Sequence, residues 1–206
     1  MNNTLIKVEN LVKTFGGLIA LNDCSLEIKD KAITGIIGPN GSGKTTLFNV
    51  ITGNLKPDTG KVFYNGVEIT NEESHDLFHL GVLRTFQIAH EFSNMTVIEN
   101  LMVVPGNQKG EKLLYSLMNN QQIKKEDEII RDKAMDVLKF LKIEHLRNER
   151  AGNLSGGQKK LLELARTMMV DAKIVFLDEV GAGVNKTLLK DISESILKLN
   201  QDKGYT

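Results

Sequence analysis

The sequence predicts an α/β protein with a strand-rich, antiparallel first third, a helical middle, and a core in which apolar strands alternate with helices. Three observations carry that expectation. "LIKVENLVKTF" alternates apolar and polar residues at period two, as a half-buried strand does. "GPNGSGKTT" joins an apolar run to a stretch with helical spacing. "EDEIIRDKAMDVLKFLKI" places Ile129, Ala134, Val137, Leu138 and Leu141 near the spacing of one helical face.

The elements follow in order. After the first strand, "CSLEI" and "AITGIIG" read as short strands, the last apolar enough to be buried on both faces. "GSGKTTLFNVITG" opens a helix with glycines and closes it at Gly53. "GKVFYNGVEIT" returns to strand, and Asn65-Gly66 is the dipeptide of a tight hairpin turn. "GVLRTFQ" is a strand and "TVIENLMVV" a helix; residues 105–125 are polar, with Pro and Gly at one end, and read as a loop or a short helix. The helix opened by "NLSGGQ", the apolar strand "KIVFLD" and a last helix, "TLLKDISESILKLN", complete the chain, which carries no internal repeat.

Composition excludes several classes. Lys plus Arg (26) balance Asp plus Glu (26), so the sequence lacks the basic footprint of a nucleic-acid binder. Cys24 is the only cysteine, so no intramolecular disulfide forms, and its alternating context suits a small buried hydrophobe. "MNNTLIKVEN" has no basic stretch followed by an apolar core, and no apolar run reaches the roughly 18 residues of a membrane span. A cytoplasmic location is expected, with any membrane contact made through other subunits.

Three motifs carry chemistry. "GPNGSGKTT", residues 38–46, fits G-x-x-x-x-G-K-[ST] between strand and helix. Gly38, Gly41 and Gly43 let the backbone turn tightly, so that successive N–H groups face phosphate oxygens at a helix N-terminus. Lys44 then reaches the β- and γ-phosphates, and the Thr45 hydroxyl can ligate Mg²⁺. "KIVFLDEV" is a buried strand ending in two acids: Asp178 is placed to hold Mg²⁺, and Glu179 to take the proton of an attacking water. Alone, such a pair is more often a helix N-cap; beside the phosphate loop it reads as catalytic. Ser155-Gly156-Gly157-Gln158 has the S-x-x-Q form of a capping box, followed by an apolar face of Leu161, Leu164, Ala165 and Met168. Two consecutive glycines weaken a first turn by about 1 kcal/mol each against alanine, so something is expected to approach that backbone closely. The exposed N–H groups make it a second anion site.

"GPNGSGKTT", "RTFQ", "LSGGQ" and "IVFLDE", in this order, resemble the nucleotide-binding subunit of an ABC transporter over nearly the whole chain. The resemblance implies a P-loop NTPase (RecA-like) core with an N-terminal antiparallel β subdomain and an inserted helical subdomain. It divides a single domain of 206 residues into 1–86, 87–153 and 154–206. It implies ATP and Mg²⁺, bound by Gly38, Pro39, Asn40, Gly41, Ser42, Gly43, Lys44, Thr45 and Thr46. It implies a head-to-tail dimer with a second nucleotide-binding subunit, in which Ser155, Gly156, Gly157 and Gln158 close on the partner's γ-phosphate. By the same resemblance Phe15 stacks on adenine, unless it is a strand-end core residue. Gln87 senses Mg²⁺ and the water, unless it is an ordinary loop residue. Residues 88–104 receive a transmembrane permease subunit, unless they are ordinary packing.

Within the family, "FGGLIALND", "GVLRTFQ", "MTVIENLMVV" and "KKLLELAR" look most like the ATPases of branched-chain amino acid importers; urea and lipopolysaccharide ATPases share parts of the pattern. Two departures stand out. Val180 occupies the position of a proline, and "GAGVNK" lacks the proline after Asn185, which loosens that turn. The family's next strand ends in a switch histidine, but the sequence stops at "DKGYT", and His75, His79, His90 and His145 lack that context. The expectation is therefore a C-terminally truncated domain. It hydrolyses ATP to drive an importer, or it acts as a nucleotide-gated clamp with little turnover.

Overall fold

The computed structural model describes residues 3–85, 91–106, 108, 110, 120–170, 172–178, 181 and 184–206. They form two compact units, one of residues 1–84, 172–178 and 197–206, the other of residues 85–171 and 179–196. Residues 154–171 fall in the second unit.

In the first unit, strands β1 (Thr4–Phe15), β2 (Leu18–Lys29), β3 (Thr59–Tyr64) and β4 (Val67–Glu68) form an antiparallel sheet of order β2-β1-β3-β4. Ile6, Val8 and Leu11 of β1 are buried, and their spacing of two and then three marks a bulge. Asn10 takes up the extra residue at φ 50°, where its amide donates to Asp23 Oδ1 (2.7 Å) and its backbone N–H to Ser25 Oγ (2.8 Å). Without the bulge, Leu11 would point away from the core. The hairpin expected at Asn65-Gly66 is present, with both residues at positive φ and Tyr64 paired with Val67. Strand β2 begins at Leu18, six residues before "CSLEI", because its pairing with β1 runs to the Gly16-Gly17 turn.

Helix α1 (Lys44–Ile51) buries Leu47, Val50 and Ile51 against this sheet's core and ends before Gly53, which sits at φ 71° as expected of a helix stop. Helix α2 (Ser74–His79) leads into β5 (Val82–Arg84), which pairs in parallel with β6 (Ile174–Phe176). The expectation of a doubly buried strand over "AITGIIG" is corrected: residues 32–39 form no strand, and Ile37 is 98% exposed. An apolar run becomes a strand only beside another strand that takes up its N–H and C=O groups. Among the described residues, none pairs with this one. Thr206 also bonds alongside β6: its N–H donates to Lys173 O, its carbonyl accepts from Val175 N, and its hydroxyl accepts from Lys31 N.

The second unit is built on helices α3 (Val97–Met102), α4 (Asn120–Phe140) and α5 (Gly156–Met168), which pack on one another, with two short 3₁₀ turns at Glu144–Leu146 and Ala151–Asn153. Helix α6 (Lys186–Lys203) begins here and ends among the residues of the first unit. Thr96 and Glu99 cap α3 reciprocally. Asn100, fully buried, accepts from Phe92 N and donates to the carbonyls of Phe92 and Thr96, tying the preceding loop to the helix. On α4, Ala134, Val137 and Leu138 face inward as their spacing predicts, as does Leu141 just beyond it. Ile129 does not: it is 69% exposed and Ile130 takes the buried position, because a helical turn of 3.6 residues lets either of two adjacent apolar residues complete the face. Most of the polar stretch 105–125 lies outside the described residues. Among those described, no helix is long and apolar enough to cross a membrane.

The end of β1 is held by Asp58, which accepts from Lys13 Nζ, Thr14 Oγ1 and Thr14 N, each at 2.7 Å. The Lys13 bond, then those of Thr14, hold its carboxyl down at about 2. A lowered folded value stabilises the fold above the unfolded value of about 3.9 and loses that contribution as pH falls through the folded value. Carboxyl NMR titration should give Asp58 a midpoint near 2, with β1 and β3 amide shifts moving between about pH 4 and 2; a midpoint near 3.9 would contradict the clamp.

Candidate functional site: a phosphate cradle

Glycine geometry builds the cradle in the first unit. Gly41 and Gly43 sit at φ 80° and 87°, which L side chains rarely adopt, and a Cβ on Gly43 would lie 2.4 Å from the carbonyl oxygen of Ala20. The loop therefore comes closer to β2 than any other residue would permit. It delivers the chain into α1 at Lys44, with no side-chain cap and no acidic residue in the first turn. The first N–H groups and the positive end of the helix dipole are thus left for an anion. Lys44 Nζ lies within the same loop, donating to Gly38 O (2.8 Å), Pro39 O (2.7 Å) and Ser42 Oγ (3.4 Å).

Beside the cradle stands Asp178. Strand β6 ends two residues before it, and Thr45 Oγ1 donates to Asp178 Oδ2 at 3.4 Å. A hydroxyl and a carboxylate are hard oxygen donors of the kind Mg²⁺ takes, in sites where phosphates and water supply the remaining ligands. The residues present fit Mg-nucleotide: a cradle of N–H groups, one lysine and two metal-binding oxygens. Asp178 also accepts from Arg84 Nη2 at 3.0 Å, and Arg84 Nη1 donates to Asn49 Oδ1 of α1. Sequence reasoning gave Arg84 no role, although it opens the "RTFQ" segment.

Ser155 and Gln158 form the expected capping box on α5: Ser155 Oγ accepts from Gln158 N (3.4 Å) and Gln158 Oε1 from Ser155 N (2.9 Å). The two glycines differ. Gly156 is exposed, with nothing within 4 Å of where a Cβ would be, so its backbone is open to a ligand. Gly157 is buried, and its Cβ would lie 2.1 Å from Leu188 Cδ2. The close approach expected from the glycine pair is, at the second position, made by the chain's own α6. Lys159, four residues on from Ser155, donates to Glu91 at 2.6 Å, a pair the sequence did not signal. Burial raises the cost of ionising Glu91, yet its bonds from Lys159, its own backbone and Ser93 outweigh that and hold its carboxyl below the usual range.

Phe15 ends β1, 49% exposed, with Lys13 Nζ 5.8 Å from its ring centroid, so it is not a core residue and presents its ring to solvent. Asn185 accepts from Leu188 N (2.9 Å) in the first turn of α6. Gln87 and Glu179 lie outside the described residues, and so does most of the segment 179–183.

Residues 21–182 match the ABC transporter family. The chain is 46% identical over 202 residues to the "Probable branched-chain amino acid transport ATP-binding protein LivG" of Methanocaldococcus jannaschii, covering 98% of this chain and 77% of that protein. It is 34% identical over 206 residues to the high-affinity branched-chain amino acid transport ATP-binding protein BraF of Pseudomonas aeruginosa, covering 100% of this chain and 81% of that one. Among solved structures, it is similar to a nucleotide-free ATP-binding cassette from an ABC transporter, with TM-score 0.82 and 44% identity, over 98% of this chain and 79% of that one. It is similar also to a cassette in its ADP conformation, with TM-score 0.81 and 44% identity over the same shares.

The unequal glycines of α5 give a test. Gly157→Ala forces Leu188 from its rotamer and should lower stability by about 1–3 kcal/mol in urea unfolding. Gly156→Ala meets open space and should leave stability unchanged or slightly raised. Equal destabilisation by both substitutions would contradict the assignment.

Proposed function

The chain belongs to the ABC transporter family and is an ATP hydrolase of it; from that premise we propose that it powers an importer of branched-chain amino acids. In this reading two nucleotide-binding subunits close around two Mg-ATP and move transmembrane permease subunits, at the inner face of the membrane. The observation that carries it is the uncapped start of α1, with Lys44 in the cradle and Asp178 beside Thr45. The substrate reading is supported by the relatives, whose names specify branched-chain amino acid transport.

The chain's own groups divide the work. Backbone N–H groups of residues 41–46 bind the phosphates, and Lys44 leaves the carbonyls of Gly38 and Pro39 to meet the β- and γ-oxygens. Thr45 and Asp178 would hold Mg²⁺, which would neutralise charge on those oxygens. Glu179 accepts the proton of the attacking water, a contribution of about 10²–10⁴-fold in rate, and Gln87 orients that water. Phe15 stacks on the adenine ring. Ser155, the open Gly156 N–H and Gln158 meet the γ-phosphate held by the second subunit.

Lys44→Ala should weaken Mg-ATP binding at least about ten-fold in calorimetry, since a charge-assisted bond contributes about 1.5–3 kcal/mol. Glu179→Gln should abolish phosphate release while leaving ATP bound and shifting the protein to a dimer in light scattering. A Glu179→Gln protein that stays monomeric at saturating Mg-ATP would count against the dimer, and binding without turnover in the unmodified protein would favour a clamp. In vesicles carrying the co-purified permease, ATP-driven uptake of leucine but not urea is expected; the reverse would refute the substrate reading.

A further inference from the structure

We propose that Arg84 is a positioning residue for the metal site: its guanidinium sets the orientation of the Asp178 carboxylate and ties it to α1, so that metal binding depends on it. This rests on the ATPase reading above. Strand register brings the two groups together. Arg84 is the last residue of β5 and pairs with Phe176 of β6, two residues before Asp178. The side chains are 8% and 7% exposed, and Nη2 donates to Oδ2 at 3.0 Å, the same oxygen that accepts from Thr45.

The other terminal nitrogen of the guanidinium is committed as well. Nη1 donates to Asn49 Oδ1 on α1, five residues after Lys44. Its Cζ lies 6.0 Å from the Phe48 ring centroid, and Phe48 meets Phe176 edge-on with centroids 5.2 Å apart. One planar group therefore ties its own strand, β5, to the helix that presents Thr45 and to Asp178 just after β6. Lysine offers a single point charge and cannot span Asn49 and Asp178 while lying against a ring.

Stability alone does not account for this pair. Buried ion pairs add little over apolar packing of the same shape, and here Nε is buried without a hydrogen-bond partner, a further penalty. What the arrangement supplies is direction. A carboxylate fixed at one oxygen by a guanidinium N–H and a hydroxyl presents a defined face to a cation, as partners behind metal ligands do elsewhere.

The test uses the full chain with a non-hydrolysable ATP analogue and Mn²⁺ as the probe, read by electron paramagnetic resonance, with Arg84→Lys, Arg84→Gln and Asn49→Ala as variants. Both Arg84 variants should weaken Mn²⁺ binding in the nucleotide complex about 10- to 100-fold, with metal-free nucleotide affinity unchanged, and Asn49→Ala should give a smaller shift. Wild-type Mn²⁺ affinity in a folded Arg84→Gln protein would overturn the proposal. So would full rescue by Arg84→Lys, which would reduce the role to charge, or loss of the folded state in all three variants, which would make it structural. If the unmodified protein bound no Mn²⁺ with the analogue, the ATPase reading itself would fall. If it bound Mn²⁺ normally while the variants did not differ, only the role of Arg84 would fall.

Discussion

One carboxylate oxygen, Oδ2 of Asp178, accepts from Thr45 on α1 and from Arg84 on β5, and the chemistry of the first unit is arranged around it. The strand that carries Asp178 is only three residues long, Ile174–Phe176. Its parallel register with β5 places Arg84 beside the acid, and the packing of Phe48 on Phe176 holds α1 at the distance where Thr45 can reach it. The phosphate cradle depends on the same helix. Its glycines turn the loop so that Lys44 opens α1 with N–H groups uncapped, and Gly43 brings the loop against Ala20 where a Cβ would collide. The proposed phosphate and metal ligands thus lie side by side at the start of one short helix, Lys44 and Thr45 being its first two residues.

The second unit carries the proposed second anion site, and it is built differently. The capping box of Ser155 and Gln158 stabilises the start of α5 by satisfying its own donors, which is ordinary helix chemistry. Its functional component is narrower than the pair of glycines suggests. Gly157 is small because Leu188 lies over it, and Gly156 alone leaves backbone accessible. The open backbone of the signature is therefore the first glycine, flanked by the Ser155 hydroxyl.

Features written in local sequence were legible, and features decided by distant partners were not. The cradle, the Asn65-Gly66 turn, the stop at Gly53 and the α5 cap each depend on residues within about one turn of each other, so spacing and residue type suffice. "AITGIIG" failed because an apolar run reports that a segment suits burial, not whether a neighbouring strand exists; in residues 32–39 none pairs with it among the described residues. Ile129 failed by a single residue, since Ile129 and Ile130 differ by one step of a helix and only packing chooses between them. Arg84 and the Lys159–Glu91 pair join residues 94 and 68 positions apart, a separation that motif spacing does not encode. The family resemblance supplied the candidate residues, yet the groups that hold Asp178 and Thr45 in place came only from three-dimensional contact.

The central claim is that nucleotide phosphates are held by the backbone of residues 38–46. Backbone amide hydrogen exchange, compared with and without Mg-ATP, tests it most directly, because those N–H groups are the proposed ligands. Slowed exchange across residues 41–46, with the β1–β3 sheet unchanged, is the predicted result. Unchanged exchange in that loop under conditions where ATP is bound would contradict the account.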